Sequence, residues 1–297
     1  MSKPVIAFIG LGNMGLPMAN NLTAAGFSVH GFDTAHTELD SEPGMGIIQH
    51  SQLAEAVANA DVIFTMLPNG AIVLDVLKQI FDARDQGATI VDCSTIDIND
   101  ARNAHRLATE HGYAFFDAPV SGGIKGAAAG TLTAMVGGNQ EILAKLDTVL
   151  TPLFDNIIHC GAAGNGQAAK LCNNMLLATT MIGAGETFNL GSQLGLDAQT
   201  LYKILSTSTG SCWSINSYCP VPGVGPESPA DNHYQPGFSS QMMLKDMKLT
   251  QDAAHSVEVA TPLGAQSLAL YEAFVKHHGG ADDFSAIINY LQTLQRK

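Results

Sequence analysis

The chain has 297 residues, of which 46% are hydrophobic and 14% are charged, and its formal net charge is −13. This composition excludes a disordered chain, and the acidic excess argues against nucleic acid and anionic membrane as partners. The length allows one large domain or two ordinary ones. We find no secretory or transit segment and no apolar stretch long enough to span a bilayer, so we expect a soluble, cytoplasmic protein.

The cysteines give no sign of a disulfide framework or a zinc site. They form no C-x-x-C pair and have no histidine partner at zinc spacing. We therefore expect free thiols in a reducing compartment and no metal. The five are Cys93, Cys160, Cys172, Cys212 and Cys219.

The first 33 residues have the pattern strand, glycine turn, helix, strand, acid. The apolar run 5–9 leads into the G-x-G-x-x-G segment Gly10-Leu11-Gly12-Asn13-Met14-Gly15, and a second apolar run ends at Asp33. In this pattern the first glycine allows the turn, the second lets the backbone approach a pyrophosphate, and the third lets the helix pack on the strand. The helix amides face the phosphate charge. An acid at Asp33 accepts hydrogen bonds from the adenosine ribose and repels a 2′-phosphate. The segment predicts NAD binding rather than NADP binding; the alternative is a glycine turn in another α/β unit.

The rest of the first half alternates strands with helices. This alternation predicts a parallel, doubly wound sheet with helices on both faces, to which the later strands add an antiparallel or mixed edge. Strands are predicted at 46–49, 62–67, 88–93, 115–117, 131–136 and 157–160, and helices at 16–25, 51–59, 71–81, 98–111 and 140–150.

The second half reads as helices. Residues 166–194 contain no proline and are apolar on several faces, as in a buried helix. Further helices are predicted at 198–205, 242–257, 262–277 and 284–294. We therefore predict an α/β protein with an N-terminal Rossmann-type domain, residues 1–163, and an all-helical domain, residues 164–297, that begins with a long interdomain helix. The proline-rich segment 219–236 is long for an idle connection; the alternative is a surface loop.

A second candidate site is the turn Ser121-Gly122-Gly123, which follows a strand ending at Asp117. Such a turn exposes backbone amides and one hydroxyl, and a nest of this kind can hold a carboxylate. The alternative is an ordinary turn.

Lys170 and Asn174 are four residues apart and share one face of the long helix. Lys170 lies in an apolar stretch, and a lysine desolvated at an interdomain cleft has a lowered pKa and can exchange protons near neutral pH. A snorkelling lysine is the alternative, although a cation there opposes the helix dipole. Asn174 alone is equally well explained as a satisfied buried amide.

Lys245 is a rare positive charge in the second half and a candidate anion anchor; the alternative is a surface lysine pair with Lys248. The segments that hold Leu67, Pro68 and Thr95 end two predicted strands, where α/β folds bind cofactors.

Six segments of the chain occur in the order that is typical of one family: GLGNMG, MLPN, DCST, DAPVSGG, GNGQAAKLCNN and KDMKL. The chain resembles the β-hydroxyacid dehydrogenases nearly from end to end. This resemblance implies that Lys170 is the catalytic acid/base and that Asn174 is its hydrogen-bonding companion. It further implies that substrate binds at Ser121, Gly122 and Gly123, that Lys245 lies near substrate and nicotinamide, and that Leu67, Pro68 and Thr95 contact NAD.

Within the family, segments 211–224 and 283–285 are similar to those of members that act on 3-hydroxyisobutyrate. Eukaryotic members carry a mitochondrial leader that we do not find in this sequence, so we expect a bacterial member. The resemblance implies NAD-dependent oxidation of this small anionic β-hydroxyacid to methylmalonate semialdehyde, a step in valine breakdown, without a metal. The alternatives are a relative acting on tartronate, glyoxylate or succinic semialdehyde, and a non-catalytic NAD-binding sensor. Members of the family are commonly homodimers or homotetramers.

Overall fold

The computed structural model describes residues 3–35, 46–84 and 87–294. The chain divides into two compact units, Met1–Lys170 and Leu171–Lys297. The division falls inside the long helix, whereas the boundary predicted at 163/164 marks the start of that helix.

The first unit alternates strands and helices, as the sequence predicts. Its strands are β1 (Val5–Ile9), β2 (Ser28–Phe32), β3 (Ile47–Gln49), β4 (Val62–Thr65), β5 (Thr89–Asp92), β6 (Ala114–Asp117), β7 (Val120–Ser121), β8 (Leu132–Gly137) and β9 (Phe154–Gly161). Its helices are α1 (Gly15–Ala24), α2 (Leu53–Val57), α3 (Gly70–Ala83), α4 (Ile98–Glu110), α5 (Gly123–Ala129), α6 (Gln140–Leu143), α7 (Asp147–Leu150) and the start of α8 (Asn165–Gln193).

The strands form one sheet in the order β3-β2-β1-β4-β5-β6-β8-β7, with β9 paired to β8. Strands β1 to β6 pair in parallel, β8 is antiparallel to β6 and β7, and β9 is parallel to β8. The order β3 to β6 is that of dinucleotide-binding sheets. The predicted mixed edge is confirmed.

Helices cover both faces of the sheet because its central strands are apolar on both sides. In β1, Ile6 and Phe8 pack into one buried cluster, and Ala7 and Ile9 pack into another. Alternate residues of a strand point to opposite faces, so each face has its own core. The parallel strands then end at one common edge of the sheet.

Two elements were not predicted, and one predicted helix was wrong. Residues 120–129 were assigned neither strand nor helix beyond the Ser121-Gly122-Gly123 turn, but they form β7 and α5, because Val120 and Ser121 pair with β8. The single helix predicted at 140–150 is three short pieces, α6, a 3₁₀ turn at Ala144–Leu146 and α7.

The second unit is helical in the residues described, as predicted. It contains the rest of α8, α9 (Ala198–Thr207), α10 (Trp213–Asn216), α11 (Ser240–Ser256), α12 (Pro262–His278) and α13 (Ile287–Leu294), with 3₁₀ turns at Pro229–Asn232 and Phe284–Ala286. None of the helices in the described ranges combines the length and the apolar character that a membrane crossing requires.

The proline-rich segment 219–236 is held by its own hydrogen bonds. Ser228 and Asp231 form a capping box, and Asp231 also accepts from the Gly223 amide at 2.6 Å. The Tyr234 hydroxyl donates to the Pro220 carbonyl at 2.8 Å. The segment is therefore an ordered loop of the second unit.

Candidate active site and cofactor site

Backbone conformation and close packing explain the glycines of the turn after β1. Gly10 has a φ of +94°, which side chains of L residues rarely adopt. A Cβ on Gly15 would strike the Gly10 carbonyl and lie 3.0 Å from the Phe8 ring, so α1 packs directly on the turn. Beside Gly12 there is open space, because no atom lies within 4 Å of where a Cβ would be. The turn can thus present bare backbone to a pyrophosphate.

Asp33 lies immediately after β2 and touches this turn. Its carboxylate accepts the Leu11 amide at 2.6 Å and the Ala35 amide at 2.7 Å. These contacts fix the carboxylate at the end of β2, the position where an acid binds the ribose diol in dinucleotide-binding folds. The fit to NAD therefore rests on the open glycine turn and an acid fixed beside it.

A buried hydrogen-bond network joins the ends of β4 and β5. The Oδ1 atom of Asp92 accepts from the Thr65 hydroxyl at 2.8 Å, the Ser94 hydroxyl at 2.5 Å and the Ser94 amide at 3.2 Å. The Ser94 hydroxyl in turn accepts the Leu67 amide at 2.8 Å. The loops that carry Leu67, Pro68 and Thr95 are thus held by one serine.

Asp92 is fully buried, and desolvation raises its pKa to about 6. Hydrogen bonds from Ser94 and Thr65 oppose this rise, and the charge of Asp117 adds to it. Among the described residues, no hydrogen-bond donor reaches its other oxygen, Oδ2. The carboxyl group therefore ionises at a cost that the network only partly offsets.

Asp117, at the end of β6, fixes the start of α8. Its buried carboxylate accepts the Gly164 amide at 2.9 Å and the Gln167 amide at 3.0 Å, and His105 Nε2 lies 2.8 Å from its Oδ1. An anion is favourable at a helix N-terminus. Lys170 follows one turn later, and only 7% of its surface is exposed.

The turn Ser121-Gly122-Gly123 connects β7 to α5. The two glycines have φ values of +136° and +64°, and the backbone of Gly122 is exposed. A Cβ on Gly122 would lie 2.9 Å from the Leu132 side chain. The segment thus exposes glycine backbone next to a half-buried serine.

In the second unit, Asn174 is bonded to an acid that the sequence interpretation left without a role. Its Nδ2 donates to Asp246 Oδ2 at 2.6 Å, and its Oδ1 accepts from Asn173 at 3.0 Å. Asp246 is 2% exposed. The side chain of Asn174 is therefore locked in one orientation.

Lys245 and Lys248 are not equivalent, although they are three residues apart on α11. Lys245 Nζ lies 3.7 Å from Asp246 Oδ1, and its side chain is 31% exposed. Lys248 instead reaches Glu272 on α12 at 3.4 Å, where both side chains are about half exposed. Lys245 thus belongs to the cluster around Asn174 and is not a member of a surface lysine pair.

Each unit thus gathers its own part of the predicted site. The first holds the glycine turn, Asp33 and the loops of Leu67, Pro68 and Thr95 at one sheet edge; the second holds Asn174 beside Lys245. Asp92, Gln167 and Asp246 were not predicted from the sequence. An acid that ends an apolar strand, as in Thr89-Ile-Val-Asp92, was the available signal for the first. In the described ranges, no group of three or more His, Cys, Asp or Glu side chains could hold a metal ion.

Comparisons with known proteins cover both units. The family model for the NAD binding domain of 6-phosphogluconate dehydrogenase matches residues 5–161. A second model, described as NAD-binding of NADP-dependent 3-hydroxyisobutyrate dehydrogenase, matches residues 164–291.

Similar proteins match over almost their whole length. A probable 3-hydroxyisobutyrate dehydrogenase of Mycobacterium tuberculosis is 47% identical over 97% of both chains. An NAD-dependent L-serine dehydrogenase of Pseudomonas aeruginosa is 43% identical over 95% of this chain and 96% of its own. A solved structure of Mycobacterium tuberculosis 3-hydroxyisobutyrate dehydrogenase with L-serine has a TM-score of 0.92 at 46% identity, covering 98% of this chain and 99% of that one.

Proposed function

The chain belongs to the family of NAD-dependent β-hydroxyacid dehydrogenases, and from this premise we propose that it oxidises 3-hydroxyisobutyrate to methylmalonate semialdehyde. The chain is similar over almost its full length to relatives that are named 3-hydroxyisobutyrate dehydrogenase, and this similarity supports the proposed substrate. The observation that carries the chemistry is Lys170, a lysine that is only 7% exposed on a helix whose start is fixed by Asp117.

The glycine turn and Asp33 bind NAD. Backbone amides at the start of α1 receive the pyrophosphate, and Asp33 accepts hydrogen bonds from the ribose. Leu67, Pro68 and Thr95 contact the cofactor at the ends of β4 and β5. When bound, NAD supplies the hydride acceptor for alcohol oxidation.

Lys170 takes the proton of the β-hydroxyl group. A neutral amine is required for this step, and burial of a lysine favours the neutral form. Asn174 orients the reacting hydroxyl through a hydrogen bond, and Asp246 holds Asn174 in place. Positioned acid–base groups contribute roughly 10²- to 10⁴-fold to rates.

The substrate carboxylate binds to Ser121, Gly122, Gly123 and Lys245. The exposed glycine backbone allows close approach, and Lys245 supplies a positive charge. A net charge of −13 repels anions at long range, so local donors of this kind must provide the attraction.

L-Serine is the second candidate substrate. One relative is an L-serine dehydrogenase, and a similar structure was solved with L-serine. L-Serine is also a β-hydroxyacid, but it carries a charged amino group in place of a methyl group. Tartronate semialdehyde, glyoxylate and succinic semialdehyde are further alternatives in the reducing direction.

A substrate panel decides among these. We expect kcat/KM with NAD to be at least roughly tenfold higher for 3-hydroxyisobutyrate than for L-serine, because a site that binds a methyl group at this position would accommodate a charged amine poorly. A higher value for L-serine or for a semialdehyde would replace the proposed substrate. No turnover with any of them would favour a binding role.

We also propose that the protein is a cytoplasmic homodimer or homotetramer, as the family resemblance implies. Light scattering of the purified protein measures the subunit number directly, and a monomer at working concentration would overturn this assignment.

A further inference from the structure

We propose that Gln167 is a positioning residue of the reaction: it holds the first turns of α8, and with them Lys170, in register with the loop that carries Thr95. The inference rests on the proposed function, in which Lys170 is the acid/base and Thr95 contacts the cofactor.

Both polar atoms of the Gln167 side-chain amide form hydrogen bonds with the same loop. Its Nε2 donates to the Ser94 carbonyl at 2.7 Å, and its Oε1 accepts the Ile96 amide at 3.1 Å. These two backbone groups flank Thr95. Gln167 is 0% exposed, so water cannot replace either bond at low cost.

The backbone of Gln167 is fixed independently of its side chain. Its amide donates to Asp117 Oδ2, and a Cβ on the preceding residue, Gly166, would strike the Met135 and Asp117 carbonyls. The helix start therefore lies directly against the ends of β6 and β8. The side chain adds the separate connection to the end of β5.

This connection extends to the β4 loop. The Ser94 carbonyl accepts from Gln167 Nε2, and the Ser94 hydroxyl accepts from the Leu67 amide. The same hydroxyl donates to Asp92. One buried chain of hydrogen bonds thus runs from α8 to both loops that are assigned to the cofactor. Lys170 lies three residues after Gln167, close to the same helix face.

Loss of the connection should harm turnover more than cofactor affinity. Placement errors of about 1 Å at reacting groups cost roughly 10²-fold in rate. The affinity for NAD depends mainly on the glycine turn and Asp33, which Gln167 does not touch in the contacts described. Replacing a residue that has only a packing role would lower the amount of folded protein. Apparent turnover and the fraction of protein that binds NAD would then fall together.

The first test compares Gln167→Met with the matched control Asn189→Leu. Both changes replace a buried amide by an apolar side chain of similar size; Asn189 is 4% exposed, bonds Ile288 and Gln292, and lies in the second unit. Gln167→Met should lower kcat by roughly 10- to 100-fold and change the Kd for NAD, measured by titration, less than threefold. Asn189→Leu should lower thermal stability and leave kcat of the folded protein unchanged.

The second test uses Gln167→Glu, which can restore the native bonds when protonated. A carboxylic acid offers one donor for the Ser94 carbonyl and one acceptor for the Ile96 amide, whereas a carboxylate has no donor. The charged groups on the elements around this position are Asp92, Asp117 with His105, Arg102 beside Gly164, and Lys170. Burial and the two aspartates favour the protonated form of the new glutamate, whereas the helix N-terminus and the nearby cationic side chains oppose it.

The ratio of kcat for Gln167→Glu to kcat for the wild type should therefore rise as the pH falls from 8 to 6. Taking the ratio removes the titration of groups that both proteins share. A ratio independent of pH overturns the inference, as does a Gln167→Met protein that folds and keeps wild-type kcat. A wild type that turns over no β-hydroxyacid overturns the proposed function and the inference with it, so the two failures are distinguishable.

Discussion

Replacing Asp92 by asparagine should change how the stability of the first unit depends on pH. Asp92 is fully buried, with three hydrogen bonds on Oδ1, and its pKa is raised to about 6 by desolvation. Between the pKa of an exposed aspartate and about 6, the folded state binds a proton that the unfolded state has lost. Binding of this proton therefore adds to the free energy of unfolding. The contribution is complete below about pH 4 and is lost as the pH rises through about 6.

The size of the effect follows from the two pKa values. They are about 6 in the folded chain and 3.8 for an unburied aspartate. Each pKa unit corresponds to about 1.4 kcal/mol, so the wild type should lose on the order of 3 kcal/mol of unfolding free energy between pH 4 and pH 7. The asparagine side chain has no such proton, and the unfolding free energy of the Asp92→Asn variant should lack this fall.

Urea unfolding at several pH values measures the difference. Circular dichroism follows both units, whereas fluorescence follows only the second, because Trp213 is the single tryptophan and lies there. The transition seen by circular dichroism but not by fluorescence belongs to the first unit. Subtracting the wild-type from the mutant free energy cancels the titration of other groups.

Asp283→Asn is a matched control. Asp283 is a buried aspartate with a pKa raised by desolvation, but it lies in the second unit. Its replacement should alter the transition that Trp213 reports. If the free-energy difference between Asp92→Asn and the wild type is the same at pH 4 and pH 7, the assignment of a raised pKa to Asp92 is refuted.

Three further changes test the site. Asp33→Ser with Thr34→Arg should narrow the preference for NAD over NADP in kcat/KM, because repulsion of the 2′-phosphate is removed and a partner is supplied; an unchanged ratio would refute the role of Asp33. Lys245→Met should raise KM for 3-hydroxyisobutyrate roughly 10- to 100-fold but should barely change KM for its uncharged methyl ester. The fold-change corresponds to the loss of a charge-assisted contact worth about 1.5–3 kcal/mol. An equal loss for acid and ester would mean that Lys245 does not bind the carboxylate. Asp246→Ala should destabilise the second unit by about 1–3 kcal/mol, since Asn174 loses its buried acceptor; Trp213 fluorescence in urea reports the loss, and an unchanged midpoint would contradict it.

Much of the fold could be predicted because its signals are local. The run Val5–Ile9, the glycine turn and Asp33 lie within 33 residues, and each element has its own pattern of apolar residues. The same holds for the helical second half. The 120–129 segment was missed because a two-residue strand is defined by pairing with β8, which lies later in the chain.

The site could be predicted only in part, because several of its contacts join residues far apart in sequence. Gln167 bonds Ser94 and Ile96 across more than 70 positions, and Asn174 bonds Asp246 across 72. A single sequence shows the residue types at both ends but not their distance. The family resemblance predicts that Lys170 and Asn174 are site residues; the hydrogen bond between Asn174 and Asp246 could be found only from the three-dimensional contacts.

The proposed reaction is the oxidation of 3-hydroxyisobutyrate by NAD with Lys170 as the acid/base. The most direct measurement follows the absorbance of reduced cofactor with 3-hydroxyisobutyrate and NAD, for the wild type and for Lys170→Ala, across a range of pH. We predict a wild-type rate controlled by one ionisation, and a variant in which kcat falls by roughly two to four powers of ten and that ionisation disappears while the Kd for NAD stays the same. A variant that keeps its kcat and its pH profile, or that loses NAD binding instead, would contradict the assignment of Lys170 as the acid/base.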